Sequence, residues 1–338
     1  MKKLQIKTTT THLEPLVSII ITNYNYRHFV TQAIDSVLEQ TYRNFEIIVV
    51  DDGSTDNSRE AIEFYGDRLV TIFQENAGMK AARNAGLKKS TGEIVCFLDA
   101  DDYFHKEKLS KVVSSFLEHS EWVQVSHCWI SVNKEGVPIG SGASDILSQG
   151  DVRNLLLKWG KYASGITSAS AYRRTALKQV MPISGEFGID SYLNASLPFY
   201  GEVGCINEPL MFYRMHGKNV RAHSDNLPRL LKQREAIATF INQAAAKTGL
   251  TDRFDIENDV DYRAYKVIQQ GSAPWRETLK VIWLSIRESI DIGRSPRDSL
   301  IRLLSRTICT LPSQGILVLR YGLRGYLRFK LSGKEPPK

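Results

Sequence analysis

Cysteine is scarce and scattered: the chain has four, at positions 96, 128, 205 and 309, and none forms a Cys-x-x-Cys pair. That spacing argues against a structural zinc site and a disulfide framework, and it fits a reducing cytosol. Long apolar runs are missing as well. None approaches the roughly 20 residues that a membrane-spanning helix needs. Met1 to Glu14 is polar and rich in threonine. Without an apolar core it predicts no secretory leader. No Gly-x-Gly-x-x-Gly follows the first apolar run, and no P-loop signature occurs anywhere. A dinucleotide-dependent oxidoreductase and a P-loop nucleotidase are therefore disfavoured.

What is present is ordinary in bulk and uneven in detail. The chain has 338 residues, 42% of them hydrophobic and 24% charged, as in a soluble globular protein of one large domain with an appendage, or of two domains. The net charge is +7. From Asp291 onward there are ten Lys/Arg against three acids, so this stretch carries the whole excess and the first 290 residues are neutral. A basic tail on a neutral body bears on partners rather than on fold.

The pattern along the chain predicts alternating strands and helices. Leu16–Thr22, Phe45–Val50, Leu69–Phe73 and Ile94–Leu98 are short apolar runs, as in buried parallel strands. Helical spacing lies between them, over residues 29–38, from Ser54 to about Tyr65, and over Met79–Lys89. The result is β-α-β-α-β-α-β with right-handed crossovers. The strand at 94–98 runs into Asp99-Ala100-Asp101-Asp102. Asp99 and Asp101, at i and i+2, point the same way on extended backbone, toward one ligand or one hard cation. Ligands of such sheets bind at the carboxyl ends of the strands. Asp102 points elsewhere and reads as supporting or helix-capping. A helix over Lys106–His119 follows, then a strand over Trp122–Val132 ending in a turn, which suggests a mixed sheet. Residues 138–150, rich in Gly and Ser, form either a lid or a plain surface loop. Short strands at 203–206 and 210–213 precede a region that is helical beyond Ser224, broken at Pro274, Pro296 and Pro312.

Four segments in this order resemble the family 2 inverting glycosyltransferases. They are Val17-Ser18-Ile19-Ile20-Ile21-Thr22-Asn23-Tyr24-Asn25, Asp51-Asp52-Gly53-Ser54-Thr55-Asp56, Asn76-Ala77-Gly78 with Ala82-Arg83-Asn84-Ala85-Gly86, and Phe97-Leu98-Asp99-Ala100-Asp101-Asp102. The resemblance covers about residues 15 to 220. It implies a GT-A fold, that is, a Rossmann-like mixed sheet flanked by helices, here with a C-terminal helical extension. The expected organisation is a polar tail (1–14), a catalytic domain (15–223) and a basic helical region (224–338).

The resemblance also implies a nucleotide-sugar donor, usually a UDP-sugar, and Mn²⁺ or Mg²⁺. Thr22, Tyr24 and Asp52 would then line the nucleoside pocket. Arg83 suits a nucleotide's oxygens or an acidic strand end. Asp99 matches the position facing ribose and metal, and Asp101 the position that binds the metal. Asp190 matches the acid after which an apolar helix begins, although Ile189 stands where the family commonly has Glu. A carboxylate there can take the proton of an acceptor hydroxyl. Met211-Phe212-Tyr213-Arg214-Met215-His216-Gly217 resembles a late Arg-x-His element, in which His216 completes the metal shell and Arg214 touches phosphate.

The tail falls outside the resemblance. Arg320, Arg324 and Arg328 recur four apart, beside Ile316, Leu319, Leu323, Tyr326 and Leu327. Such basic amphipathic helices lie on anionic membranes or pack on their own domain. Residues 294–330 are thus a candidate membrane contact for a cytoplasmic enzyme on the inner face of the cell membrane; no nucleic-acid module precedes them. The expected reaction is metal-dependent transfer of a hexose-type unit onto a hydroxyl of a growing glycan, lipid-linked or polysaccharide. Two rivals are a sugar nucleotidyltransferase, which would need a basic Gly-rich loop after the first strand, and a non-catalytic nucleotide-sugar-binding subunit that scaffolds a glycan-assembly complex through its tail.

Overall fold

The structure, a computed structural model, describes residues 14–141, 146–184, 187–216, 226–271 and 274–333. Most of the expected N-terminal tail, part of the Gly/Ser-rich loop, Gly185, Glu186 and Gly217 lie outside the described residues.

The first half follows the apolar runs. β1 (Val17–Asn23), α1 (Arg27–Leu38), β2 (Phe45–Asp52), α2 (Ser58–Glu63), β3 (Val70–Gln74), α3 (Met79–Lys89) and β4 (Ile94–Asp99) alternate as expected. The four strands pair in parallel in the order β3-β2-β1-β4. β5 (Tyr103–Phe104), α4 (Lys108–Glu118), β6 (Trp122–Val132), β7 (Pro138–Ser141), α5 (Arg153–Trp159), β8 (Ser170–Arg173), α6 (Arg174–Val180), α7 (Ile189–Ser196) and β9 (Glu202–Arg214) complete the half expected to be catalytic. β8 enters antiparallel beside β4, and the sheet continues β8-β6-β9-β5, with β7 on β6.

Two expectations change here. The segment expected as a loop from residue 138 begins with a strand, because Pro138–Ser141 pairs with β6. The two short strands expected at 203–206 and 210–213 are one strand of 13 residues. Its register against β6 slips around Pro209, where the missing N–H cannot join the ladder.

Alternation sends successive residues to opposite faces of the sheet. Ile20, Ile48, Val50, Val95 and Phe97 face α3, α6 and α7. Ile19, Ile21, Ile47, Val49 and Leu98 face α1, α2 and α4. Contact with α3 is close: a Cβ on Gly86 would meet Ile20 Cγ2 at 2.4 Å.

Five helices follow: α8 (Leu227–Lys247), α9 (Val260–Gln270), α10 (Trp275–Ile292), α11 (Pro296–Cys309) and α12 (Gly315–Ser332). Pro274 and Pro296 start helices, as N-cap and first-turn residue, rather than break them. α8 joins the core of the catalytic half through Ile237, Phe240 and Ile241. α9, α10 and α11 meet at a buried ionic hub. Asp259 and Glu288 are fully buried. Arg234 and Lys161 hold Asp259, at 2.5 and 3.1 Å, and Arg306 bridges Glu288 and Asp261, at 3.0 and 2.7 Å. Arg294 pairs with Asp298 at 3.1 Å, as does Arg302 at 2.9 Å. Arg294 and Arg306 are therefore spent inside the molecule, while Arg302, 37% exposed, pairs with Asp298 at its surface.

Burial alone would raise the Asp261 carboxyl, but the Arg306 and Lys161 charges beside it hold it well below its ordinary value. A lowered folded-state pKa stabilises the fold above the unfolded carboxylate range, and that contribution is lost as pH falls from there through the lowered folded-state value. Denaturant midpoints should therefore fall as pH drops below about 4. An Asp261→Asn variant, already weaker at neutral pH, should show a shallower fall; an unchanged slope would refute the assignment.

Candidate active site

The parallel register brings three strand ends to one edge. Thr22 lies opposite Val50 on one side and Asp99 on the other. Beyond these ends opens a cavity of about 810 Å³, a size that suits a nucleotide-sized ligand. Thr22, Tyr24, Asp52, Arg83, Asp99, Asp101 and Asp190 all line it. The structure thus gathers seven of the nine residues picked out in the sequence. Arg214 and His216 stand behind the wall.

Asp51 and Asp52 turn to opposite sides of β2. The Asp52 carboxylate accepts from Gln74 Nε2 at 2.6 Å, Ala77 N–H at 3.0 Å and Gly78 N–H at 2.8 Å. It holds the Asn76-Ala77-Gly78 turn at the start of α3, and its remaining lone pair is what a ligand can use. Asp51 accepts from Asn23 Nδ2 at 2.6 Å and from Ser54. That leaves the buried Asn23 Oδ1 without a partner among the described residues. Asn23 lines the cavity but was passed over in the sequence, where a strand-end Asn looks like any turn residue.

The acidic turn is held from three sides. Arg83, only 2% exposed, pairs with Asp99, so of its two expected partners the structure shows the acidic strand end. Asp101 accepts from or donates to His216, with Nε2 and Oδ2 2.9 Å apart. The His216 ring stacks on Phe29 and meets the edge of Tyr26. Asp102 is buried and accepts the Arg214 backbone N–H at 3.0 Å; it caps no helix, since α4 begins at Lys108 behind Glu107. Burial and the Asp99 charge raise the Asp101 carboxyl. Burial and both neighbours raise that of Asp102 further. Burial beside these acids lifts the Tyr26 phenol to about 12.

Arg214 was expected on phosphate, and the structure corrects this. Its guanidinium is 2% exposed and braces the turn from behind. Nε donates to the Asp101 carbonyl at 3.0 Å, Nη1 to that of Lys134 at 2.6 Å and Nη2 to Gln32 Oε1 at 2.5 Å, over the faces of Phe29 and Tyr103. Lys108 is a second buried cation that the sequence reading missed, because its spacing matched a helix face. Its Nζ donates to the Ser168 carbonyl at 2.6 Å and lies 3.5 Å from the Phe104 ring centroid; burial lowers its pKa to about 8.

Asp101 and His216 are the pair that a divalent cation would use; here Oδ2 and Nε2 are hydrogen-bonded to each other, 2.9 Å apart. Among the described residues no group of three His, Cys, Asp or Glu is placed to hold a metal. Phosphate and water would have to complete the shell, as is usual for Mg²⁺.

Asp190 stands in the first turn of α7, where the helix dipole favours a carboxylate. Gln233 of α8 donates to the neighbouring Ser191 Oγ at 3.1 Å, and Arg229, Leu230 and Gln233 complete the rim. Nothing in the sequence separated these from the rest of the tail. The loop leading to Asp190 is pinned by Asn84 of α3, whose amide exchanges two 3.0 Å hydrogen bonds with the Ile183 backbone. An Asn84→Ala variant should lose about 1–3 kcal/mol of stability. Hydrogen exchange should quicken around residues 183–191, and unchanged protection there would refute the pinning.

Comparisons with known proteins give the family. The family described as glycosyl transferase family 2 matches residues 18–181. An uncharacterized glycosyltransferase of Nostoc sp. is 36% identical over 276 residues, covering 77% of this chain and 85% of that protein. The putative teichuronic acid biosynthesis glycosyltransferase TuaG of Bacillus subtilis is 39% identical over 114 residues, 32% of this chain and 45% of TuaG. The crystal structure of S. aureus TarS 1–349, solved also in complex with UDP and with UDP-GlcNAc, superposes with a TM-score of 0.52 at 18% identity, covering 94% of this chain and 92% of that one. The mixed sheet and its helices match the GT-A fold, and the Nostoc relative is alike over most of both chains: the chain belongs to the family 2 glycosyltransferases.

Proposed function

We propose that the chain transfers a hexose-type unit from a nucleotide diphosphate, of the UDP type, to a hydroxyl of a cell-surface glycan or polysaccharide, with inversion. The observation that carries this is the juxtaposition of Asp52, Asp99, Asp101 and Asp190 around one cavity at the carboxyl edge of the sheet. The UDP and UDP-GlcNAc complexes of TarS and the name of TuaG support the donor type and the polysaccharide acceptor.

Thr22, Tyr24 and Asp52 receive the nucleoside, with the last Asp52 lone pair as the acceptor for the uracil N–H. Arg83 keeps the Asp99 carboxylate fixed toward the ribose. Asp101 and His216 would hold Mn²⁺ or Mg²⁺, which when bound neutralises the charge that builds on the departing diphosphate. The acceptor enters over the cavity rim that α7 and α8 form. Asp190 takes its hydroxyl proton, the oxygen attacks the anomeric carbon from the face opposite the diphosphate, and the bond to the diphosphate breaks. One displacement inverts the configuration.

Asp190→Asn should lower transfer by about 10²–10⁴-fold while calorimetry still shows UDP binding; full transfer would reassign the base. Asp101→Ala should abolish turnover and any metal-dependent gain in UDP affinity with the fold intact by circular dichroism. Retained turnover would remove Asp101 and the metal from the reaction. A chain that binds UDP but releases none from any UDP-sugar would instead be the non-catalytic subunit.

A further inference from the structure

α10 is apolar on two faces. Val281, Leu284 and Ile292 are buried against the protein. Trp275, Leu279, Trp283, Ile286 and Ile290 face solvent, exposed by 68, 53, 57, 44 and 68%. At 3.6 residues per turn these five fall within an arc of about 80° along about 22 Å of helix, diametrically opposite the buried positions. Single exposed apolar residues are ordinary, but a continuous stripe with two indoles marks a surface that something covers.

Charge along the same helix says what covers it. All three acids of α10 are drawn into the molecule. Glu277 pairs with Arg263 at 2.5 Å, Glu288 with Arg306 at 3.0 Å, and Asp291 with Lys158 at 2.7 Å and the Trp159 indole N–H at 2.9 Å. Arg276, Lys280 and Arg287 stay exposed, about 100–140° round the helix, along one flank of the stripe. Arg276 and Arg287 lie over Trp275 and Trp283, each 5.6 Å from the ring centroid. A second copy packed antiparallel on the stripe would bring the same cations together. A bilayer with anionic headgroups accepts both the cations and the indoles, which favour the headgroup level.

We propose that this face of α10 docks on an anionic membrane surface. The expected contact was residues 294–330, but Arg294 and Arg306 are buried in ion pairs and Arg302 is tied to Asp298. Gly322, at φ 65°, also breaks α12 between Arg320 and Arg324, so the three expected arginines do not share one helical stripe. No helix among the described residues is long and apolar enough to cross a membrane; α10 would lie along the surface. Asp291 binds Lys158 and Trp159 of α5, so docking would hold the catalytic half at the same surface.

Co-sedimentation of the full chain with vesicles tests this. One set is phosphatidylcholine alone, and the other carries phosphatidylglycerol as a third of its lipid. The chain should pellet with the anionic vesicles, much less with the neutral ones, and less as salt rises. A Trp275→Ser/Trp283→Ser variant should lose about tenfold or more in partitioning, with unchanged circular dichroism and UDP binding, because both indoles are exposed. Failure of the parent chain to pellet with anionic vesicles, or equal pelleting of the variant, would overturn the proposal. So would a concentration-dependent dimer dissolved by the double substitution, which would give the face to a second copy. Vesicle binding needs neither donor nor acceptor, so its failure would leave the transferase reading standing.

Discussion

Three carboxylates within four residues, at the end of a buried strand, repel one another, and much of the site exists to contain that repulsion. Arg83 answers Asp99 from the cavity wall, His216 meets Asp101, and the Arg214 backbone meets Asp102 while its guanidinium clamps the carbonyls around the turn. The balance is incomplete, since Asp101 and Asp102 hold their protons more tightly than ordinary carboxyls. A negative potential therefore remains at the carboxyl edge of the sheet.

A second ionic device serves a different end. Asp259, Glu288 and Asp261 are shared among Lys161, Arg234 and Arg306, which come from a loop and two helices far apart in sequence. Buried ion pairs contribute little net stability, but removing one partner is costly, so they enforce one arrangement of helices. That arrangement fixes α8 against α7 at the cavity rim and presents the outer face of α10. The same hub explains why the tail's formal charge overstates its reach: several of its cations are already committed.

The catalytic sheet was legible because each apolar run is short, unbroken and ended by polar residues, so β1 to β4 and the helices between them follow directly from periodicity. Asp99 and Asp101 were legible for the same reason, since parallel strands must deliver their ends to one edge; Thr22, Tyr24 and Asp52 entered through the family resemblance. Asp190 needed the family resemblance as well. Arg214 was misjudged because two-residue spacing predicts a shared side only on flat backbone, whereas its side chain packs between Phe29 and Tyr103, beneath the turn. Lys108, Asn84 and Gln233 gave no signal at all. Their roles lie in partners 60, 99 and 42 residues away.

By itself the sequence determined the strand and helix alternation, the acidic edge and the family, because these depend on local pattern and on residues adjacent in the chain. Tertiary structure alone decided which charges are spent and which remain. Arg306 and Arg287 look alike in a basic tail, yet one is locked to Glu288 and Asp261 and the other lies over an exposed indole. A side chain's charge is a local property, but its availability depends on what distant chain packs against it.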